Sequence, residues 1–243
     1  MPHIDTSANL NPWRRKPLAE KNLLALGMLA IAVGVPSWQS ALLVAAVMTA
    51  VTLWLARVDF TTWWKTMTAP FGFLLIGVVT VAVRVQGWHV GLAPHGLELA
   101  GRLAARALAG LTCLLFMALT TPATDFVQGL RRIGVPVEIT DLALLMYRFL
   151  FLLLDTAASM NAAQAARLGH SSYRRHMNSL ALLIANLLPR ALARAQGLET
   201  GLAARGWRGE LQMLNPVRPV TPRNIVLILG LECLVLACGI WLK

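Results

Sequence analysis

The chain has 243 residues, 57% of them hydrophobic and 14% charged, with a mean hydropathy of +0.61 and a net charge of +11. A soluble domain carries about 25% charge, so the composition excludes an ordinary water-soluble globule and points to an integral membrane protein. The basic residues sit between and beside apolar runs rather than in one stripe interleaved with aromatics, so no nucleic-acid partner is expected.

Residues 1–21 are polar and basic, and Pro12 and Pro17 break any helix there. Arg14, Arg15, Lys16 and Lys21 follow no apolar stretch, so no cleavable secretory signal is expected. Met1-Pro2-His3 lacks the second backbone amide that an amino-terminal metal clamp requires. Apolar runs then cover 22–35, 41–56, 70–83, 103–119 and 225–242. Gly34-Val35-Pro36-Ser37 reads as a turn, 57–69 as a Trp-rich link, and 84–101 as a loop or short interfacial helix. A span needs about 20 residues, within a range of about 17–25. The runs are short, but flanking Trp and Arg extend them by reaching to the interface. The count is five spans, with six as the alternative.

Orientation follows from Lys and Arg. The N-terminal tail carries four of them, the turn at 36–40 none, and 121–223 twelve against six acids. The N-terminus and 121–223 are therefore placed inside, and the last span leaves Lys243 outside. Arg84, Arg102 and Arg106 fall on the external side, where basic heads at span ends reach water.

Within 121–223, residues 124–133 predict a short amphipathic helix with Phe126, Val127, Leu130 and Ile133 on one side. Gly134-Val135-Pro136 ends it. The apolar patch 142–154 is too short to span comfortably and runs on into Asp155 and an Ala-rich stretch, which predicts one helix of about 30 residues. Another is expected over 179–205, with Pro189 as a kink or break. These three either lie along the cytoplasmic membrane surface or supply one or two further short spans. The charge count favours the surface.

No catalytic constellation and no phosphate loop stand out. His3, His89, His95, His170 and His176 do not pair with a carboxylate at ligand spacing, and Arg174 and Arg175 beside His170 and His176 would repel a cation, so no metal site and no cofactor are expected. Cys113, Cys233 and Cys238 read as small buried apolar residues. Glu232, alone among acids in a span, reads as a carboxylic acid hydrogen-bonded between packed helices.

Two stretches end alike: Ala165-Ala166-Arg167-Leu168-Gly169 and Ala203-Ala204-Arg205-Gly206-Trp207. Each closes a helix-prone run, and Gly169 and Gly206 suit a left-handed helix cap. A cation there complements the negative helix end, so a helix that simply ends in Arg and Gly accounts for the pattern. The alternative is that each planar guanidinium projects past its helix to grip a partner's groove. Ala104-Ala105-Arg106 has the same letters yet opens the fourth apolar run, so context rather than the tripeptide carries weight.

Pro17-x-x-x-Lys21, the stretch Leu130-Arg131-Arg132-Ile133-Gly134-Val135-Pro136, Tyr147-Arg148-Phe149, and the block from Leu187-Leu188-Pro189 through Arg194-Ala195 to Trp207 together resemble the transmembrane T component of energy-coupling-factor transporters. Length and spacing are most similar to the cobalt-type family, CbiQ. The resemblance implies an all-α integral membrane protein with about five transmembrane helices and about three cytoplasmic coupling helices inserted before the last span. Its divisions are 1–120, 121–223 and 224–243. It implies a non-catalytic scaffold of an ATP-driven importer in the cytoplasmic (inner) membrane, N-terminus inside. Ala166, Arg167, Leu168 and Ala204, Arg205, Gly206 would dock two ATP-binding-cassette ATPases. The other partners implied are a substrate-binding membrane subunit (the S component), with a small accessory membrane subunit as an option, and membrane lipid. Cobalt is the implied cargo, with nickel or a vitamin as alternatives. From the residues alone, a membrane-bound enzyme using Arg148, Arg174 and Arg175 stays open, with Asp155 and Glu199 as the nearby carboxylates.

Overall fold

A computed structural model describes residues 3–86, 89–92, 96–206 and 221–241. Pro2, Pro94, His95 and Trp207 lie outside these. Among the described residues the order is α1 (His3–Leu10), a 3-10 turn (Pro12–Arg15), α2 (Leu18–Gly34), α3 (Trp38–Ala50), a π segment (Val51–Leu55), α4 (Phe60–Ala82), β1 (Val83–Gln86), β2 (His89–Leu92), α5 (Gly96–Thr120), α6 (Ala123–Arg132), α7 (Val137–Ala166), α8 (Tyr173–Ala204) and α9 (Pro222–Trp241). The chain divides into two compact units. The first comprises Met1–Phe126 with Pro216–Lys243, and the second Val127–Asn215.

In the first unit, the stretches Trp38–Leu55, Phe60–Ala82, Gly96–Thr120 and Pro222–Trp241 are long and apolar enough to cross a membrane. The 17 residues of α2 lie at the short end of span length. Helix α5 is the hub and packs against α2, α3 and α4, while α9 packs on α2 and α3. Between lipid-exposed helices the apolar effect gives little drive, so close approach of small residues does the work. The contact faces are accordingly rich in alanine: Ala25 and Ala32 on α2, Ala41 and Ala45 on α3, Ala105 and Ala109 on α5. Phe116, Met28 and Met48 fill the space between them. Outward faces carry bare apolar side chains, such as Phe73 and Ile76 of α4.

Local chemistry sets the boundaries. Helix α2 stops two residues before Pro36, as a residue preceding proline avoids helical geometry, and Ser37 Oγ caps α3 by accepting from Ser40 N. The expected breaks at Pro12 and Pro17 are present, although a two-turn helix, α1, forms ahead of them. Val83–Gln86 and His89–Leu92 pair as antiparallel strands, where a loop or interfacial helix was expected over 84–101, because Val83, Val85 and Val90 are β-formers. Helix α5 begins seven residues before the expected run, since Gly96 to Arg102 continues it with a Glu98–Arg102 ion pair on its surface. Near the end of α3 the Ala56 amide reaches back five residues to Val51, a π turn that the sequence did not announce.

Two adjacent buried charges, Glu20 and Lys21, close one end of this bundle. Glu20 Oε1 accepts from the Thr221 amide (3.1 Å) and Oε2 from Asn224 Nδ2 (3.0 Å). Lys21 Nζ donates to the Thr120 carbonyl at 2.8 Å. Near its middle, α2 presents Gly27 to Glu232 of α9. A β-carbon at position 27 would overlap the Glu232 carboxyl. Glu232 Oε1 is shielded with no hydrogen-bond partner among the described residues, which corrects the expectation of a hydrogen-bonded acid. Cys113 is buried as expected, but Cys233 is exposed on α9.

Candidate docking site

In the second unit, α7 and α8 are continuous helices of 30 and 32 residues. Helix α7 combines the apolar patch and the Ala-rich stretch as one element, as the sequence suggested. Helix α8 starts six residues earlier than expected and passes through Pro189 without ending. Ser172 starts it, its Oγ accepting from Arg175 N at 3.4 Å. Around the turn between them the two helices are locked. Gln164 Nε2 donates to the Ser179 carbonyl (3.0 Å), and Ser179 Oγ donates to the Gly169 carbonyl (3.2 Å). A β-carbon on residue 169 would sit 2.6 Å from Ser179 Oγ and 2.8 Å from the Gln164 carbonyl oxygen, so only glycine fits.

The two arginine endings share one backbone geometry. Ala166 and Ala204 are the last residues of α7 and α8, and Arg167 and Arg205 are their C-caps, at φ −92°, ψ 19° and φ −91°, ψ 8°. The next residue is left-handed in both, Leu168 at φ 59° and Gly206 at φ 68°. In the first ending, Leu168 N donates to Ala165 O (3.0 Å) and Gly169 N to Gln164 O (2.9 Å), the paired bonds of a Schellman cap. In the second, Gly206 N donates to Ala203 O at 3.0 Å. Gly206 is the expected left-handed cap. Gly169 is not: that position falls to Leu168, and Gly169 is required by the packing of Ser179 instead. A left-handed leucine costs about 1–2 kcal/mol, which the two cap bonds and the Gln164–Ser179 lock sustain.

Both guanidinium groups are exposed, and neither has an ion-pair partner among the described residues. Ala166, Leu168, Ala204 and Gly206 are exposed around them. Arg167 leads into α8 and Arg205 follows its far end, so the two tips are separated by roughly the length of that helix, about 48 Å at 1.5 Å per residue. The third copy of the tripeptide is different. Arg106 lies inside α5, not at its opening, and its Nη2 donates to the Val35 carbonyl at 3.4 Å, closing the end of α2.

Two of the arginines offered for an enzymatic reading have different surroundings. Arg148 lines a groove with Phe149, Leu152, Ala193, Arg194, Gly197 and Leu198, whereas Arg175 Nη1 donates to Ser171 Oγ beside the α7–α8 turn. The rings of His170 and His176 meet edge to face with centroids 4.6 Å apart. Among the described residues no group of three or more possible metal ligands forms. The lock made by Gln164, Gly169 and Ser179 was missed in the sequence, as its members lie up to 15 residues apart and carry no motif.

An all-α multi-pass membrane protein, carrying an inserted helical unit with two exposed arginine caps, is the class that the fold and site define. A profile of the cobalt transport protein family CbiQ matches residues 11–214. The chain is 47% identical over 98% of both sequences to the cobalt transport protein CbiQ of Rhodobacter capsulatus. It is 28% identical to that of Salmonella typhimurium, over 88% of this chain and all of the relative. It is also 26% identical, over 95% of its own length, to 42% of a fused cobalt transport protein, CbiMQ, from Methanocorpusculum labreanum. The chain belongs to the CbiQ family.

Proposed function

We propose that this chain is the energy-coupling T component of an ATP-driven cobalt importer in the cytoplasmic membrane, with its N-terminus and its inserted helical unit inside. It carries no catalysis of its own. Arg167 and Arg205 dock two ATP-binding-cassette subunits, and α6, α7 and α8 pass their movement to a separate substrate-binding membrane subunit. The observation that carries this reading is the matched pair of caps. Two exposed arginines, without an ion-pair partner among the described residues, at helix ends of the same left-handed geometry suit two equivalent grooves, as a dimeric ATPase presents. A guanidinium held at the cap is pre-oriented, so less freedom is lost when it meets a carboxylate or carbonyl row. Helix α7 supports a further contact: Ile139, Leu142, Met146 and Leu150 recur at helical spacing and are exposed, a face suited to lipid or to the substrate-binding subunit. The fused relative is consistent with a role inside a larger assembly, because this chain matches less than half of it.

The test is co-purification followed by transport. The tagged chain is expected to bring down two copies of an ATPase and a second membrane subunit. The double variant Arg167→Ala/Arg205→Ala should stay in the membrane yet lose the ATPases and ATP-driven cobalt uptake. Normal uptake by that variant would overturn the docking role. Enzymatic turnover by the isolated chain would overturn the scaffold reading altogether.

A further inference from the structure

Glu20 and Lys21 are neighbours in sequence and among the most deeply buried charged side chains of the bundle, 3% and 1% exposed. A charged group taken out of water needs hydrogen bonds in its place, and these two find them at opposite kinds of helix end. The Glu20 carboxylate sits over the first turn of α9, where free amides and the helix dipole favour negative charge. The Lys21 ammonium meets the last carbonyl of α5, where the dipole favours positive charge. Those two helix ends have something in common. Thr120 is where the chain leaves the spans, and Thr221 is where it returns to them. Everything between, the second unit included, is attached to the bundle's chain through these two stems.

We infer that Glu20 and Lys21 form a clasp on both stems of the inserted unit, acting as positioning residues through which its movement reaches the spans. The inference rests on the coupling role proposed above. Pulling either stem away breaks a charge-assisted hydrogen bond to a buried side chain, so the stems resist sliding relative to α2. Force arriving along them then moves α2, α5 and α9 together, because the first stem continues into α5, the second into α9, and both are tied to α2. With the clasp open, the stems yield first and the movement is lost before it reaches the bundle.

The experiment uses the whole complex in vesicles, with cobalt(II) and nickel(II) salts offered separately as cargo and ATP hydrolysis measured in the same vesicles. Glu20→Gln and Lys21→Met are expected to keep the ATPases bound and hydrolysing, while metal imported per ATP falls about tenfold, the loss equivalent to one buried charge-assisted bond. Asn224→Ala, which removes one partner from the other side, should lower the ratio about threefold. Lys21→Arg, which keeps a cationic donor, should restore most of it. Should the first two variants fail to accumulate, Asn224→Ala carries the comparison, with Lys21→Arg as the control expected to keep most of the ratio. A merely structural role would reduce the amount of complex, with import and hydrolysis falling in step, and an unchanged ratio overturns the clasp. Failure of the coupling reading looks different: the unmodified chain would bind no ATPase, or import neither metal when supplied with ATP.

Discussion

Replacing Gly169 by alanine tests the lock that orients the first arginine tip without touching Arg167. The added β-carbon would lie 2.6 Å from Ser179 Oγ and 2.8 Å from the Gln164 carbonyl oxygen. Ser179 can rotate away only by giving up its 3.2 Å bond to the Gly169 carbonyl. The Gln164 carbonyl cannot rotate away, because it belongs to the last turn of α7 and accepts from the residue 169 amide itself. Separating the helices also strains the 3.0 Å bond from Gln164 Nε2 to the Ser179 carbonyl. Two such bonds are worth about 1 kcal/mol each, and overpacking adds about 1 kcal/mol. Loss of backbone freedom in the unfolded chain offsets about 0.5 kcal/mol, which leaves a cost of about 2–3 kcal/mol. Amide hydrogen exchange in detergent reads this directly. Amides of residues 165–180 should exchange roughly 30- to 150-fold faster, while those of α5 do not change. Ser179→Ala alone should cost about 1 kcal/mol, and added to Gly169→Ala it should cost less than the two apart, since the side-chain clash has gone. Exchange within threefold of the original in Gly169→Ala would refute the packing described here.

Leu168→Gly should stabilise the α7 cap by about 0.5–1 kcal/mol by removing left-handed strain, whereas Gly206→Ala should cost about 1 kcal/mol. Exchange rates at the two caps check the opposite signs. Gly27→Ala should destabilise the α2–α9 contact by about 1–3 kcal/mol, and Glu232→Ala in the same chain should recover much of it. Thermal unfolding in detergent measures that coupling, and simple additivity of the two changes would count against the contact. Burial holds the Lys16 ammonium below the usual lysine value of 10.5, and the charge of Glu20 pulls it part of the way back. The folded chain therefore binds that proton less tightly than the unfolded one, so this group favours folding more as pH rises from its folded value toward 10.5. Glu20→Gln removes the opposing charge, so the midpoint for amine modification of Lys16 should move to lower pH; an upward move would contradict the assignment.

Most of the bundle was legible in the apolar runs because a span is a matter of length and hydropathy, but the expected Trp-rich link at 57–69 is mostly the first part of α4, Phe60–Ala82. The helix through 142–164 was likewise legible, as no Gly or Pro interrupts it. The strand pair at 83–92 was harder, for two four-residue strands hold too little alternation to stand out. At the arginine endings, residue types located the tips but assigned the left-handed position to Gly169. Sequence preference favours glycine there, but the register of the cap bonds places Leu168 in that conformation and leaves Gly169 to make room for Ser179. Glu20 carried no signal at all. Its partners are about 200 residues away in sequence, a distance that no local pattern spans.

The grip of two adjacent residues on Thr120 and Thr221 also bears on how such chains diversify. A segment that leaves and rejoins its host at neighbouring points is a cassette: its length and surface can change while the host keeps its helix order. Relatives could thus exchange or remodel residues 121–220 and keep the same bundle, provided that an acid and a base remain at the start of α2 to receive the two ends.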